Sequence, residues 1–292
     1  MLSTGHKHLC IMSVRLTLIL SLAFISCNAF SDRQDRQYQS PKGYKLTEPH
    51  RYRVRESMQE ISGIVLDPDE RHIYSINDEQ GKIFVIDVNT DKPYPTTKFG
   101  KSGDYEDLVK TNQGWFVLKS NGILFQVHDM FTDSVSATEY KFSKKGKQEF
   151  ESVYVDTPSN SVIMVCKDCP EDKNESVSSA YRFRLDNMQF DKEAAYQLSV
   201  DDIEKLAGIE INHFRPSAAA MHPIEHRLYI ISSINRLLVI ASREGKIQEV
   251  YHLKHKLFNQ PEGISFAPNG DMYVSNEAGD GVADILKFSY KP

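Results

Sequence analysis

Short apolar runs alternate with polar turns along nearly the whole chain after residue 43. The runs are rich in β-branched and aromatic side chains, as in 82–86 (KIFVI) and 227–231 (RLYII), and turns such as 268–271 (PNGD) separate them. This pattern is typical of short β-strands joined by tight turns. Residues 200–207 are the best candidate for a helix. The sequence therefore predicts an all-β protein.

A short phrase with an acidic residue recurs along these strands. Its anchor positions are Glu60, Glu106, Glu151, Pro216 and Glu262, which are 46, 45, 65 and 46 residues apart. Three apolar runs follow each anchor. Four-stranded units of about 45 residues are the signature of β-propeller blades. We predict a five-bladed propeller, with a sixth, degenerate blade within 170–214 as the alternative.

The last repeat lacks an outer strand because the chain ends soon after its third apolar run. Residues 44–48 or 52–54, which precede the first anchor, are the candidates to supply it. Closing the ring in this way removes exposed sheet edges. The predicted propeller domain spans residues 44–292.

The pattern of the first 27 residues predicts a secretory leader. The apolar run 16–25 follows Arg15 and suits a signal-peptide core, but it is too short to cross a membrane. Residues 24–27 (FISC) resemble a bacterial lipobox, in which Cys27 becomes lipidated, and a plain secretory signal is the alternative. The polar residues 28–43 predict a flexible tether. Translation could also start at Met12.

A lipidated Cys27 predicts attachment to a lipid bilayer in the bacterial cell envelope. The outer membrane is favoured, and a secreted or periplasmic protein is the alternative. The chain has 40% hydrophobic and 26% charged residues, which excludes disorder as its main state. The net charge of −5 disfavours nucleic acid as a partner and suits a metal cation or a cationic partner better.

Acidic residues are predicted to meet at one mouth of the central channel. Each anchor opens an innermost strand, whose start lies beside the end of the second strand of its blade. The resulting candidate metal ligands are Glu60, Asp78, Glu79, Glu106, Glu151, Glu262 and Glu277. Crowded carboxylates repel one another, and Ca²⁺, which binds about six to eight oxygens, would relieve that repulsion. Alternatively, the glutamates latch neighbouring blades through backbone hydrogen bonds.

Cys166 and Cys169 are the two cysteines outside the leader and its boundary. A disulfide or inert thiols are expected. A structural zinc site would need a second pair of ligands, and a redox motif would need a βαβ context, which the surrounding pattern does not suggest. Metal binding and redox catalysis stay open as minor alternatives.

Other charged residues flank the predicted mouth. Lys119, Lys167 and Arg215 could hold a phosphate, although solvated surface charge is the simpler interpretation. Arg215 could also pair with a neighbouring glutamate. His222 and His226 lie in a predicted turn, so capping or surface roles are expected for them.

Several phrases together resemble the SdiA-regulated protein family over about residues 45–290. They are 60–64 (EISGI), 77–81 (NDEQG), 103–107 (GDYED), 150–153 (FESV), 215–218 (RPSA) and 260–264 (QPEGI). The resemblance implies a β-propeller related to phytase-like and NHL-type propellers, with a connection to calcium. The resemblance does not imply a specific enzymatic reaction.

Three functions therefore compete. The first is a membrane-anchored, calcium-binding propeller that serves as a binding or scaffold module for an unknown protein or small molecule. The second is a calcium-dependent hydrolase, either a phytase-like phosphoesterase or a lactonase. The third is a structural or partner-binding propeller without a metal. The chain has neither a G-x-S-x-G elbow nor an H-E-x-x-H motif, so no catalytic residue is predicted.

Overall fold

The computed structural model describes residues 38–90 and 92–292, in which the apolar runs form strands. The strands are β1 His50–Arg53, β2 Ile61–Leu66, β3 His72–Asn77, β4 Lys82–Asp87, β5 Thr96–Lys98, β6 Tyr105–Thr111, β7 Gly114–Lys119, β8 Ile123–His128, β9 Ser136–Lys141, β10 Glu149–Asp156, β11 Ser161–Asp168, β12 Val177–Arg184, β13 Gln189–Ser199, β14 Ala218–Met221, β15 Leu228–Ser232, β16 Leu237–Ala241, β17 Ile247–His252, β18 Pro261–Phe266, β19 Met272–Asn276 and β20 Asp284–Phe288. Three 3-10 turns, at Glu56–Met58, Thr157–Ser159 and Asp172–Asn174, join some of them.

The strands form five antiparallel sheets of four strands each. Blades 1 to 4 are β2–β5, β6–β9, β10–β13 and β14–β17, and blade 5 contains β18–β20 with β1. The first strand of each blade contacts the first strands of the two neighbouring blades, in the closed order β2, β6, β10, β14, β18. The predicted five-bladed propeller is confirmed, with these strands around its central channel.

The alternative of a sixth blade is wrong. Residues 170–214 instead complete blade 3 with β12 and the eleven-residue β13, and then form helix α1, Val200–Ala207, where the helix was expected. The Ser199 hydroxyl caps the start of α1 by accepting from the amide of Asp202 at 3.1 Å. Gly208 ends it with φ +68°, a conformation that glycine adopts at little cost.

Blade 5 closes the ring with a strand from the beginning of the described chain. β1 pairs antiparallel with β20, so that Tyr52 lies opposite Ile285 and Arg53 opposite Asp284. Of the two predicted closing segments, the later one therefore supplies the strand. The earlier one, 44–48, forms no strand; its Tyr44 and Leu46 are buried between blades 4 and 5.

The propeller belongs to one compact unit that spans Ser40–Pro292. Residues 40–43, which the sequence placed in the tether, make hydrogen bonds within this unit. The Ser40 hydroxyl accepts from the amide of Leu46 at 2.8 Å, and the Gly43 carbonyl accepts from the amide of Lys291 at 2.8 Å. The predicted leader 1–27, its Cys27 and most of the tether lie outside the described residues.

Five apolar layers between adjacent blades form the core. The layer between blades 3 and 4, for example, packs Tyr154 and Ile163 against Leu228 and Ile230, all nearly inaccessible to solvent. Because each blade is apolar on both faces, the blades stack around the axis and leave the ends of their inner strands to form the two mouths of the channel. No helix among the described residues is long and apolar enough to cross a membrane.

Candidate metal centre at the channel mouth

The inner strands of four blades begin with a β-bulge, and in three of them a glutamate is the residue left out of the ladder. In blade 2 the pairing steps from Tyr105 directly to Asp107, so that Glu106 has no partner in the ladder. Glu151 in blade 3 and Glu262 in blade 5 are left out of the ladder in the same way. A bulge bends the strand and changes the direction of the extra residue's side chain. The same local irregularity therefore sets three of the predicted glutamates apart from their strands.

The other two blades carry serine at this position. In blade 1 the pairing steps from Ile61 to Ile64, which places Ser62 at the position of Glu262. In blade 4 the corresponding residue is Ser217, whose hydroxyl donates to the carbonyl of Pro261 at 2.6 Å. The predicted alignment of anchors was therefore wrong by two residues in blade 1 and by one in blade 4.

A second ring of residues follows the ends of the second strands. Aligning the five blades by register gives Asp78, Ser120, Lys167, Ser233 and Glu277 at equivalent positions. Two of the five are acidic, and one, in blade 3, is a lysine. This ring stands next to the bulge glutamates, because the two strands of each blade are antiparallel neighbours.

Glu60 directly precedes β2, and its side chain lies beside two members of this second ring, Asp78 and Glu277. Its carbonyl accepts a hydrogen bond from the amide of Asp78 at 3.3 Å. Carboxylate oxygens of Glu60, Asp78 and Glu277 all lie within 4.8 Å of one another. The Oδ1 atom of Asp78 is buried and has no hydrogen-bond partner among the described residues. We call these three residues the carboxylate cluster.

Electrostatic coupling shows that the carboxyls converge on the axis. Glu262 raises the pKa of Glu106, although blades 2 and 5 are not neighbours. Lys167 in blade 3 likewise lowers the pKa of Glu277 in blade 5. Such coupling across the ring requires that these side chains face the same mouth.

Burial and mutual repulsion hold protons on these carboxyls. Burial, reinforced by Glu60, raises the pKa of Asp78 to about 6. Burial raises the pKa of Glu106 to about 8, with a further contribution from Asp104, and it raises the pKa of Glu277 to about 8. The pKa of Glu262 rises to about 7, chiefly through burial. The metal-free mouth is therefore partly protonated near neutral pH.

Four predicted ligands do not belong to the carboxylate cluster, namely Glu79, Glu106, Glu151 and Glu262. Glu151 forms an ion pair with Lys167, whose ammonium also lies 3.3 Å from Glu149. Glu79 is exposed and acts on the cluster only through its charge, which raises the pKa of Asp78. Asp104, which was not among the predicted ligands, accepts a hydrogen bond from the Ser120 hydroxyl. Its position two residues before Glu106 was the available signal.

Lys119 and Arg215, the other basic candidates, contact different residues. The ammonium of Lys119 lies 5.8 Å from the centre of the Tyr105 ring. The alternative pairing of Arg215 with a glutamate is absent from the described residues, where the Arg215 amide donates to the Asn235 side chain at 3.0 Å. His222 is buried and accepts from the amide of Glu225 at 3.0 Å through Nδ1, a capping role of the kind that the sequence predicted.

Cys166 and Cys169 are joined by a disulfide next to the mouth. Both residues are 1% exposed. A disulfide sulfur lacks the thiolate character that metal ligation needs, so this bridge does not fit the alternative of a metal site. The bridge encloses Lys167 and Asp168 in a short covalent ring.

Replacing both Cys166 and Cys169 with alanine is expected to lower the free energy of unfolding by about 2 kcal/mol, because the short closed loop no longer restricts the unfolded chain. Urea denaturation monitored by circular dichroism measures this loss. Dithiothreitol should destabilise the natural protein and leave the double variant unchanged. Equal stability of the natural protein and the double variant in the absence of dithiothreitol would contradict the expectation.

Comparison with solved structures finds similar folds. Myxococcus xanthus glutaminyl cyclase matches with a TM-score of 0.58 and 11% identity over 83% of this chain and 96% of the cyclase. A streptogramin B lyase (TM-score 0.44, 11% identity, 84% and 98% coverage) and a luciferin-regenerating enzyme (0.46, 8%, 83% and 95%) also match. At this identity the similarity to the cyclase is one of fold alone.

No curated protein matches the sequence significantly. A family model does match, and it covers residues 37–279, which include the inner strands of all five blades and both rings of the mouth. The chain therefore belongs to the SdiA-regulated family.

Proposed function

We propose that the protein is a calcium-binding β-propeller that serves as a binding or scaffold module in the bacterial cell envelope. The observation that carries the proposal is the carboxylate cluster of Glu60, Asp78 and Glu277, with its buried and unpartnered Asp78 Oδ1. A buried acceptor without a partner costs free energy, which a bound cation would remove.

The chemistry of the donors favours a hard cation. The cluster offers only carboxylate oxygens, and neither histidine nor thiolate belongs to it. Such donors suit Ca²⁺ or Mg²⁺ better than zinc or copper. The carboxylates come from three separate loops or strand ends rather than from one rigid turn, and Ca²⁺ tolerates irregular geometry better than Mg²⁺ does. Glu106 and Glu262 would add negative charge around the ion.

Attachment to the envelope rests on the sequence of the leader. A lipid on Cys27 would tether the propeller to a bilayer, with the acidic mouth available to a partner protein or small molecule. Globomycin sensitivity and loss of membrane fractionation in a Cys27→Ser variant test this part of the proposal. A natural protein that stays in the soluble fraction would contradict it.

One observation favours a calcium-dependent hydrolase as the second candidate. The pKa of Glu262 is raised to about 7, in the range where a carboxyl can act as a general base or acid at neutral pH. Turnover of phosphate esters or lactones that needs Ca²⁺ and is lost in Glu262→Gln would support the enzyme. Absence of turnover on both substrate classes would leave the binding module.

Calcium binding should raise the melting temperature by about 5 °C at millimolar Ca²⁺, because the ion binds only the folded state. Glu277→Gln removes one ligand of the cluster and is expected to weaken binding by at least about tenfold. Glu244→Gln, in the exposed turn between β16 and β17, is the matched control with the same charge change. Isothermal titration calorimetry and thermal melts measure both quantities.

Equal calcium affinity in Glu277→Gln and Glu244→Gln would contradict the assignment of the cluster. Absence of any calcium-dependent stabilisation of the natural protein would contradict the proposal as a whole, and would favour the interpretation of the mouth glutamates as latches between blades.

A further inference from the structure

Lys167 occupies a position in the mouth that is acidic in two other blades. By register it is equivalent to Asp78 and Glu277, two members of the carboxylate cluster. Its ammonium contacts Glu151 and lies 3.3 Å from Glu149. The side chains of Lys167 and Glu151 are only 18% and 13% exposed. Blade 3 therefore places a largely buried positive charge among the mouth carboxyls.

The backbone around Lys167 fixes this charge in place. The Cys166–Cys169 disulfide closes the chain on both sides of it, and the Ser178 hydroxyl donates to the carbonyl of Cys166 at 2.7 Å. The influence of Lys167 extends beyond its own ion pairs, because it also lowers the pKa values of Glu106, Glu262 and Glu277. A flexible surface lysine would be screened by water and would not act at this range.

We propose that Lys167 is a resident cation that neutralises the Glu149–Glu151 side of the mouth and confines an external metal ion to the carboxylate cluster on the other side. The inference rests on the proposed calcium binding and adds to it a residue that determines how many ions the mouth holds. Glu151 is then a partner of Lys167, and it becomes a metal ligand only when the ammonium is removed.

The expected consequence is a change in stoichiometry. The natural protein binds one Ca²⁺ at the cluster. Lys167→Met keeps the aliphatic stem and removes the charge, so that Glu149 and Glu151 become free to bind a second Ca²⁺. In the double variant Lys167→Met/Glu151→Gln this second ion is lost again, because one of its two carboxylates is missing.

Two variants serve as controls. Lys167→Arg keeps the positive charge and should leave the stoichiometry at one. Lys173→Met makes the same change in net charge in the turn that follows β11. Lys173 pairs with Asp168 at 3.0 Å and is 54% exposed, so this change should not create a second site. Equilibrium dialysis and isothermal titration calorimetry give the number of ions bound and their dissociation constants.

A measurement without metal tests Lys167 independently of calcium. In buffer with EGTA, Lys167→Met should melt about 5 °C below the natural protein, because two partly buried carboxylates lose their counter-ion. The double variant with Glu151→Gln should recover part of this loss. If Lys167→Met fails to fold in EGTA, recovery of its circular dichroism on adding millimolar Ca²⁺ supports the proposal, and failure to recover overturns it.

The outcomes separate the two proposals. An unchanged stoichiometry and affinity in folded Lys167→Met overturns the role of Lys167 and leaves calcium binding by the natural protein intact. Binding by Lys167→Met but not by the natural protein overturns the proposed function and supports the role of Lys167. If neither binds Ca²⁺, the proposed function fails, and an EGTA melting temperature of Lys167→Met equal to that of the natural protein overturns the role of Lys167 as well.

Discussion

The metal-free protein is expected to lose at least about 4 kcal/mol of stability as the pH rises from about 5 to about 8. The pKa values of Glu106 and Glu277 are raised to about 8 in the folded protein, and that of Glu262 to about 7. In the unfolded chain these carboxyls lose their protons near pH 4.3. Between about pH 4.3 and these raised pKa values, the folded state binds more protons than the unfolded chain does. The stability of the folded state therefore falls as the pH rises.

The size of this loss is counted from Glu106, Glu262 and Glu277, the mouth carboxyls whose pKa values rise furthest. A tenfold change in the acidity of one group corresponds to about 1.4 kcal/mol. The pKa of each of these three groups is raised by more than that, so one tenfold step for each gives a loss of at least about 4 kcal/mol. The carboxyls whose pKa is lowered by arginine, such as Asp156 and Glu225, titrate below this window. The buried His222 acts in the opposite direction, because burial lowers its pKa.

Urea denaturation in EGTA at several pH values measures the effect. The double variant Glu106→Gln/Glu277→Gln should show a much flatter dependence, which assigns the effect to the mouth rather than to other buried groups. Millimolar Ca²⁺ should stabilise the natural protein more at about pH 8 than at about pH 5, since protons and the ion compete for the same oxygens. A stability that rises with pH over this range in EGTA would contradict the expectation.

Gly63→Ala is expected to lower the free energy of unfolding by about 3 kcal/mol. A Cβ at Gly63 would lie 2.1 Å from Oδ1 and 2.7 Å from Cα of Asp107, where the inner strands of blades 1 and 2 meet. The Asp107 carboxylate accepts from the amides of Leu108 and Val153, both at 2.8 Å, and so ties blade 2 to blade 3. Displacing it strains two blade contacts and leaves buried amides without acceptors.

Gly281→Ala is the matched control for this substitution. Gly281 is exposed in the loop between β19 and β20, and the nearest atom to an added Cβ is the Ala278 carbonyl oxygen at 3.3 Å. Its expected effect is below about 1 kcal/mol. Urea denaturation of both variants, in EGTA and in Ca²⁺, measures the difference. Equal stabilities of Gly63→Ala and Gly281→Ala would contradict the expectation, because they would show that the inner strands of blades 1 and 2 can move apart at little cost.

Much of the fold could be predicted because each blade repeats the same local pattern. The anchors, the three apolar runs and the turns recur at about 45 residues, and a propeller is the architecture in which such units each bury both faces. The 65-residue interval was the ambiguous case. It holds a long outer strand and α1 rather than another blade, and strand length was the property that periodicity alone did not reveal.

The site could be predicted only in part. Residue types and topology placed Glu106, Glu262, Asp78 and Glu277 at one mouth, and the structure brings them within electrostatic reach of one another. The role of Glu151 was missed because its partner, Lys167, comes from the next strand and looked like a surface charge. Ion pairs depend on side-chain direction, which the bulges change.

The sequence by itself determined the repeating strand pattern, the acidic character of the anchors and the pairing of two nearby cysteines as one option. These are local properties, which neighbouring residues fix through side-chain type and turn chemistry. The tertiary structure decided which carboxyls lie close together, through the bulges and the closing of the ring by β1. Charges from distant blades interact only once the ring has formed, because burial at a common axis is what lowers the dielectric screening between them.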